Sequence, residues 1–438
     1  MTAHDPVFPP IQLGDGYFLS ERNPTATADQ VEIESRAIKM MRLPLIQWAR
    51  DQARLGFTAL AGGDVPAEAW VNFDQVIDEW TFHYVLLALN SDPNYPKVMG
   101  HFFGPPHEWF GMKVPGSRGP GTAENVDNNY TVIPVDGISR FLLQGRRFDP
   151  YIGDCPLQIT TNLSDSINVS SLDWRDMVFE EDGESFTITI DPHPAEGRRN
   201  HLQTTIDSRY IFIRDGRMDW RQKPNAYRIH RLDPPNRPPL SDDETASLAA
   251  RFVLDDVAPM FWFKQMVSAP EPNVMPPVVV SSSVGGMPSQ KILCARLKIA
   301  RDEAYVLNLG TGDAGYWFVG NYQWWLMSGD FWKTNSLNNL QSTANHDGTY
   351  TYVFALQDPR VHNWIDTLEL EETLIMIRWH LLPQTHDGPG GQPWADGKLV
   401  KLSELDRNLP PNTTHVTPAH RAEQLANRRA LFELRYAH

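Results

Sequence analysis

The sequence predicts an α+β protein that is mainly β, with two jelly-roll-like antiparallel β-sandwich modules, an N-terminal helical region and a C-terminal helix. Three observations lead there. Short runs that alternate apolar and polar residues, bounded by turn residues, recur from Tyr130 to His380, the signature of half-buried strands. Apolar residues at helical spacing occupy most of residues 29–90 and the last twenty positions. A long segment of the first strand-rich region also reappears, in the same order, in the second. The 35 prolines among 438 residues add many loops that packing must hold in place, which suits a β-rich chain better than a helical one.

Residues 1–28 read as an irregular arm rich in Pro and Gly. From Asp29 to about Leu55 the spacing is helical, and Pro44 inside the run predicts two helices or one kinked helix. A further helix over Ala67–Asn90 carries Trp70, Phe73, Ile77, Trp80, Tyr84 and Leu87 on one face, a stripe heavy enough to dock on a sheet. Gly and Pro interrupt the segment from Ser91 to Asn129 too often for regular structure. Ordered loops of this length tend to carry function, so His107, Glu108 and Arg118 are candidates to line a site, with a structural ion pair as the alternative. Ser241 and Glu244 form a capping box that starts a helix running toward Val257 or Phe261. Thr417 and Pro418 start the last helix, which extends to about Tyr436. These elements divide the chain into an arm with helices and a Pro/Gly-rich loop (1–123), a first sandwich (124–240), a helix with a Pro-rich connector (241–290), a second sandwich (291–385), and a loop with the closing helix (386–438).

The repeat lies between the segment from Asp182, beginning DGESFTITID, and the one from Asp347, beginning DGTYTYVF. Each starts with Asp-Gly, passes an Asp-Pro, an Asn and a Thr, and finishes in an apolar strand ending Ile-Arg.

The runs GYWFVGNYQWWLMSGDFW, NSLNNLQ, DGTYTYVF, DPRVHNWIDT and LIMIRWH, with the earlier HEWFG, DNNYTVIPVDG and TIDSRYIFIRDGRMDW, resemble the family of domains of unknown function numbered twelve-fourteen. That family is often paired in one bacterial protein with a companion domain numbered twelve-fifty-four. The resemblance spans most of residues 124–382. It implies a jelly-roll-like sandwich in each half and a homo-oligomer, and it brings no established chemistry or catalytic residues.

The net charge of −15 argues against nucleic acid or an anionic membrane surface as partner. No apolar run approaches the length of a membrane span, and the N-terminus lacks the basic and apolar pattern of a secretory signal. The two cysteines, Cys155 and Cys294, have no metal-ligand spacing. A soluble protein of the cytoplasm, without metal or cofactor, is the expectation. Gly310-Thr311-Gly312-Asp313-Ala314-Gly315 matches the dinucleotide fingerprint literally, but a strand follows where a helix must face the pyrophosphate, so it reads as a hairpin turn. No zinc-protease, nucleophile-elbow or phosphate-loop pattern occurs.

Three constellations remain. From Gly315 to Met327 the pattern reads as one long strand with Tyr316, Phe318, Tyr322, Trp324 and Leu326 on a core face. Its other face carries Trp317, Val319, Asn321, Gln323, Trp325 and Met327, with two rings and two amides suited to a ligand pocket, although a strand buried between sheets gives the same composition. Just beyond, Asp330, Trp332, Lys333 and Asn335 offer a carboxylate and an amine for acid–base work, or a surface pair. At the entry of the first module stand Asp127, Asn128, Asn129, Tyr130 and Arg140, functional or merely a turn. The function these residues suit is a cofactor-independent enzyme, of lyase, hydratase, isomerase or hydrolase type, acting on a hydrophobic or polycyclic small molecule. Asp330, Lys333, His107, Glu108 and Tyr130 are its candidate acids and bases. A carbohydrate-binding sandwich and a non-catalytic oligomeric accessory protein are the alternatives.

Overall fold

The structure is a computed structural model and describes residues 8–63, 65–148, 153–163, 167–284, 286–287, 289–383 and 391–438. Its helices are α1 (Ala28–Met40), α2 (Pro44–Ala61), α3 (Phe73–Leu89), α4 (Asp242–Asp255), α5 (Val257–Ser268) and α6 (Pro418–Glu433). Pro44 is the first residue of α2, where its missing N–H costs nothing, so it starts a helix instead of kinking one. A 3-10 turn at Ala67–Trp70 precedes α3, splitting what the spacing predicts as one helix. Every residue from Glu79 to Ala88 is buried, so α3 is the centre of the helical layer and not a surface helix with one docked face. Ser241 and Glu244 close the predicted capping box at the start of α4, and Thr417 caps α6.

The strands are β1 (His107–Trp109), β2 (Met112–Val114), β3 (Asn128–Pro134), β4 (Phe141–Arg146), β5 (Leu157–Thr160), β6 (Asn168–Leu172), β7 (Ser185–Asp191), β8 (His201–Gln203), β9 (Tyr210–Gly216) and β10 (Ala226–Arg231). There follow β11 (Val279–Val280), β12 (Lys291–Lys298), β13 (Glu303–Gly310), β14 (Tyr316–Tyr322), β15 (Ser336–Asn338), β16 (Tyr350–Ala355), β17 (Trp364–Asp366), β18 (Glu372–His380) and β19 (Trp394–Lys401). In the first sandwich the sheet β3-β9-β5-β6 faces the sheet β10-β4-β7-β8. In the second, β12-β18-β14-β15, extended by β11, faces β17-β16-β13-β19. The two orders are the same strand for strand, down to the parallel pairs β7 with β8 and β16 with β17. The segments that align in sequence supply β7 to β9 of one sandwich and β16 to β18 of the other.

Each sandwich has its own core. Ile133, Leu143, Ile188, Ile211 and Ile213 fill the first, and Leu307, Trp317, Val319, Ile375, Ile377 and Trp379 fill the second. A third cluster joins the helices to the outward faces of the sheets, through Tyr130, Val132, Tyr210 and Phe212 of the first sandwich and Tyr316 and Phe318 of the second. The helices therefore cover one outer face of both sandwiches.

Four expectations change. The strand predicted to run to Met327 ends at Tyr322; the backbone reverses there, with Gln323 N–H donating to the Met327 carbonyl at 3.0 Å and Leu326 at φ 57°. The faces of that strand also exchange roles, because Trp317 and Val319 point between the sheets while Tyr316 and Phe318 point out toward the helices. The Gly310–Gly315 segment is not a hairpin: it crosses from β13 in one sheet to β14 in the other. The second sandwich also runs past residue 385, since β19 pairs along the whole of β13; the 385/386 boundary itself lies outside the described residues. Both cysteines are free thiols. Among the described residues no helix is long and apolar enough to cross a membrane.

Candidate functional site

Where the helical layer meets the outer faces of both sandwiches lies a cleft, with about 1000 Å³ of empty space when its open mouth is included. Strand alternation sets two of its walls. On β9, Ile211 and Ile213 enter the core while Phe212 and Arg214 turn out into the cleft; on β18, Ile375, Ile377 and Trp379 turn in while Met376, Arg378 and His380 turn out. Arg214 and Arg378 are thus the same position of the repeat, the Arg that closes each Ile-Arg strand. Trp80 and His83 of α3, with Met260 and Phe263 of α5, form the helical wall, and Tyr130 of β3 completes it.

Arg214 lies 4.3 Å over the ring of Phe212 and donates from Nη1 to Gln158 Oε1. Burial, reinforced by the charge of Arg378, draws its guanidinium down to about 10, so it is still a cation at neutral pH. Arg378 donates from Nη1 to the Tyr322 hydroxyl at 2.8 Å and from Nη2 to the Ala123 carbonyl. Among the described residues, no Asp or Glu lines the cleft.

His380 is 4% exposed. Its Nδ1 stands 3.1 Å from Asp154 Oδ2, but off the line of a hydrogen bond, and its Nε2 has no hydrogen-bond partner among the described residues. Asp154 is held by Gln290, whose Nε2 donates to Oδ2 at 2.7 Å. The Tyr130 hydroxyl accepts from the Asn125 N–H at 2.8 Å, and its own proton has no acceptor among the described residues. His83 is neutral: burial pulls it down to about 4, and its Nδ1 faces the Ser117 carbonyl at 3.0 Å. The arrangement combines two cations, a carboxylate–imidazole pair and a hydroxyl donor around a space with aromatic walls, which is the equipment of a proton-transfer site.

Of the residues singled out from sequence, Tyr130 and Asn128 line this cleft. Gln323, Asp330, Lys333 and Arg118 border a second cleft of about 910 Å³ between α3 and the loop after β14; the Asp330 and Lys333 side chains form no ion pair, and only their backbones are joined, by Lys333 N–H to the Asp330 carbonyl at 3.1 Å. The others hold the fold. Trp317 donates to the Tyr352 hydroxyl at 3.1 Å inside the second core. Trp325, fully buried, donates to the Ala69 carbonyl at 2.8 Å and stacks on Phe73. Asn321 is buried. Asn335 fills the turn formed by Gly329, Asp330 and Lys333, and Trp332 packs on Phe432 of α6. Asn129 accepts from Arg217 at 3.1 Å, and Arg140 grips Asp233. His107 stacks on Tyr436 and stands 3.4 Å from Glu34, while its neighbour Glu108 points to solvent. Among the described residues no group of three His, Cys, Asp or Glu is placed to hold a metal ion.

Sequence reasoning missed Arg214, Arg378, His380 and Asp154. The signal for the arginines was present in the repeat, whose two copies both close on Ile-Arg: a charged residue at the end of an apolar strand, in the same place twice. His380 and Asp154 had no such signal.

No family model matches the chain, and no curated protein does. Among solved structures, the chain is similar to an uncharacterised protein from Burkholderia cenocepacia, with a TM-score of 0.67 and 22% identity over 84% of this chain and 100% of that one. The VPA0106 protein from Vibrio parahaemolyticus superposes with a TM-score of 0.42 and 11% identity over 82% of this chain and 100% of that one, a likeness that carries no argument. The first shows a shared fold and says nothing of chemistry.

Proposed function

We propose that the cleft between the sandwiches is the active site of a cofactor-independent enzyme that moves a proton on a hydrophobic small molecule, in an isomerisation, elimination, hydration or hydrolysis. The observation that carries this reading is His380, buried at the cleft wall with Nε2 unpartnered and Asp154 beside Nδ1. In this role Nε2 takes the proton, and Asp154 favours the imidazolium that results. Tyr130, with a proton free to donate, is the matching acid, on β3 of the other sandwich. Apolar walls from Phe103, Phe212, Met260 and Phe263 exclude water from the reacting atoms. The resemblance to family twelve-fourteen adds no chemistry to this reading.

Incubation of the wild-type protein in D₂O with a panel of hydrophobic acids, ketones and esters, followed by mass spectrometry, tests it. Deuterium uptake or product formation that disappears in His380→Gln and falls in Tyr130→Phe is the expected result; uptake that persists unchanged in His380→Gln sinks the assignment.

A second reading concerns assembly. Leu45, Trp48 and Leu55 are 40%, 52% and 57% exposed and fall on one face of α2, an apolar stripe of the kind that subunit interfaces cover. Homo-oligomerisation through this face predicts that Trp48→Glu lowers the molar mass seen by light scattering; an unchanged mass rejects it.

A further inference from the structure

The reading of the cleft as an active site leaves two of its groups without a task, Arg214 and Arg378. They sit at equivalent positions on β9 and β18, one from each sandwich, and both open on the same space. A guanidinium carries five N–H donors. Those of Arg214 meet one acceptor, Gln158 Oε1, and those of Arg378 meet only the Tyr322 hydroxyl, the Ala123 carbonyl and the Met376 sulfur. Neither arginine forms a salt bridge among the described residues, whereas the buried Arg118 and Arg421 are matched by Glu79 and Asp358, and the buried Arg428 by two carbonyls, an amide oxygen and a hydroxyl. The two like charges face one space with no carboxylate among its described lining residues, and the charge of Asp154, behind the wall, reaches Arg214, in a chain whose net charge is −15. Partly buried cations are stable where something anionic completes them. The rest of the lining limits what that anion belongs to: aromatic and thioether side chains form much of the wall, beside Thr122, Asn128, Ser281 and Gln290, and His380 stands on the same strand face as Arg378, two residues on.

We propose that the ligand of this cleft is a small carboxylic acid with an aromatic or aliphatic body, its carboxylate held between Arg214 and Arg378 and its apolar part against Phe212, Met260 and Phe263, so that the carbon next to the carboxylate or one bond further is presented to His380. This rests on the cleft being the reactive site proposed above. The paired arginines use the two-donor geometry that recognises a planar carboxylate.

Isothermal titration of the full chain with benzoate, 3-phenylpropanoate and 2-naphthoate, each paired with its primary amide, and with inorganic phosphate, tests the assignment. At least one acid binds saturably, its amide binds at least tenfold more weakly, and Arg214→Gln and Arg378→Gln each weaken the acid by about ten- to hundredfold without changing the weak affinity for the amide. Arg214→Lys and Arg378→Lys, which keep the charge but lose the fork, give intermediate values and guard against loss of fold in the Gln variants. The proposal is overturned if acids and amides bind alike, if no acid binds, if only phosphate binds, or if all four variants bind the acid as the wild type does. The catalytic reading fails separately: an acid that binds wild type and His380→Gln equally, with no deuterium uptake in either, leaves the carboxylate site standing and removes the reaction.

Discussion

Removing Arg118 while leaving Glu79 in place will destabilise the protein by several kcal/mol, and removing both will not. Arg118 comes from the Gly- and Pro-rich segment after α3. Its Nε and Nη2 donate to Glu79 Oε2 and Oε1 at 2.9 and 3.1 Å, and Nη1 donates to the carbonyls of Ser328 and Gly329 at 3.1 Å each. The side chains are 6% and 3% exposed. This pair ties the central helix to the loop after β14 and builds one wall of the second cleft. At an effective dielectric near 20, charges about 4 Å apart attract by about 4 kcal/mol, and stripping one partner from a buried pair costs about 3–5 kcal/mol because the other charge is stranded. Arg118→Met leaves Glu79 with only the Gln75 amide, at 3.0 Å, and Glu79→Leu leaves Arg118 with two carbonyls, the Ser328 hydroxyl at 3.5 Å and the more distant charges of Glu124 and Asp330. Each single variant is therefore expected to lose about 3–5 kcal/mol. The double variant loses about 1–3 kcal/mol, chiefly from the two carbonyls left without a donor, so the coupling energy is at least about 3 kcal/mol. Urea unfolding of the full chain, followed by Trp fluorescence, measures all four proteins. Single variants that each lose less than about 1 kcal/mol, or a double variant equal to their sum, would refute the argument.

Lys264 of α5 is 1% exposed, with Nζ 3.9 Å from the Trp324 ring and, among the described residues, no ion-pair partner. Burial, aided by Arg296, lowers it to about 7. A depressed ammonium penalises the fold most below its folded value and releases that penalty as pH rises from about 7 toward its ordinary 10.5. Lys264→Met should thus raise the urea midpoint at pH 6.5 and do so much less at pH 10; equal gains at both would show that charge is not the cause. For His83, drawn down to about 4 from 6.5 by burial, the unfolded chain takes up the proton first, so its contribution is whole above about 6.5 and is lost on acidification toward 4. That loss amounts to roughly 3 kcal/mol at about 1.4 kcal/mol per unit, and in His83→Asn the slope of stability against pH over this range should flatten. Trp325→Ala should cost about 3–5 kcal/mol of stability and leave binding in the cleft between the sandwiches intact, a split that titration and denaturation together resolve.

Much of the architecture was legible in the chain, and for local reasons. A Pro at a helix start, a Ser and Glu three residues apart, and alternation along β9 or β18 are set by backbone sterics and by one buried face, and neighbours in sequence suffice to show them. The strand β19 escaped because it is an edge strand with mostly exposed side chains, and its residues Trp394–Lys401 show little of the apolar alternation that marks a half-buried one. The faces of β14 were reversed for a subtler reason. Both are buried, Trp317 and Val319 between the sheets and Tyr316 and Phe318 under the helices, and when both sides of a strand are apolar the alternation no longer says which is which.

The sequence by itself determined the α+β class, the helices at both ends, the repeat with its two Ile-Arg strand ends, and the rejection of a dinucleotide loop. Only the tertiary structure decided which candidate residues share a cleft. Trp317, Asn321 and Trp325 read equally well as pocket or core, and packing put all three inside. Arg214 and Arg378, 164 positions apart by subtraction, meet because the helical layer brings equivalent faces of two sandwiches to one cleft, and His380 meets Asp154 across the same boundary. Local rules report which way a side chain points from its own strand; which strands then face each other depends on long-range packing, and no local pattern records it.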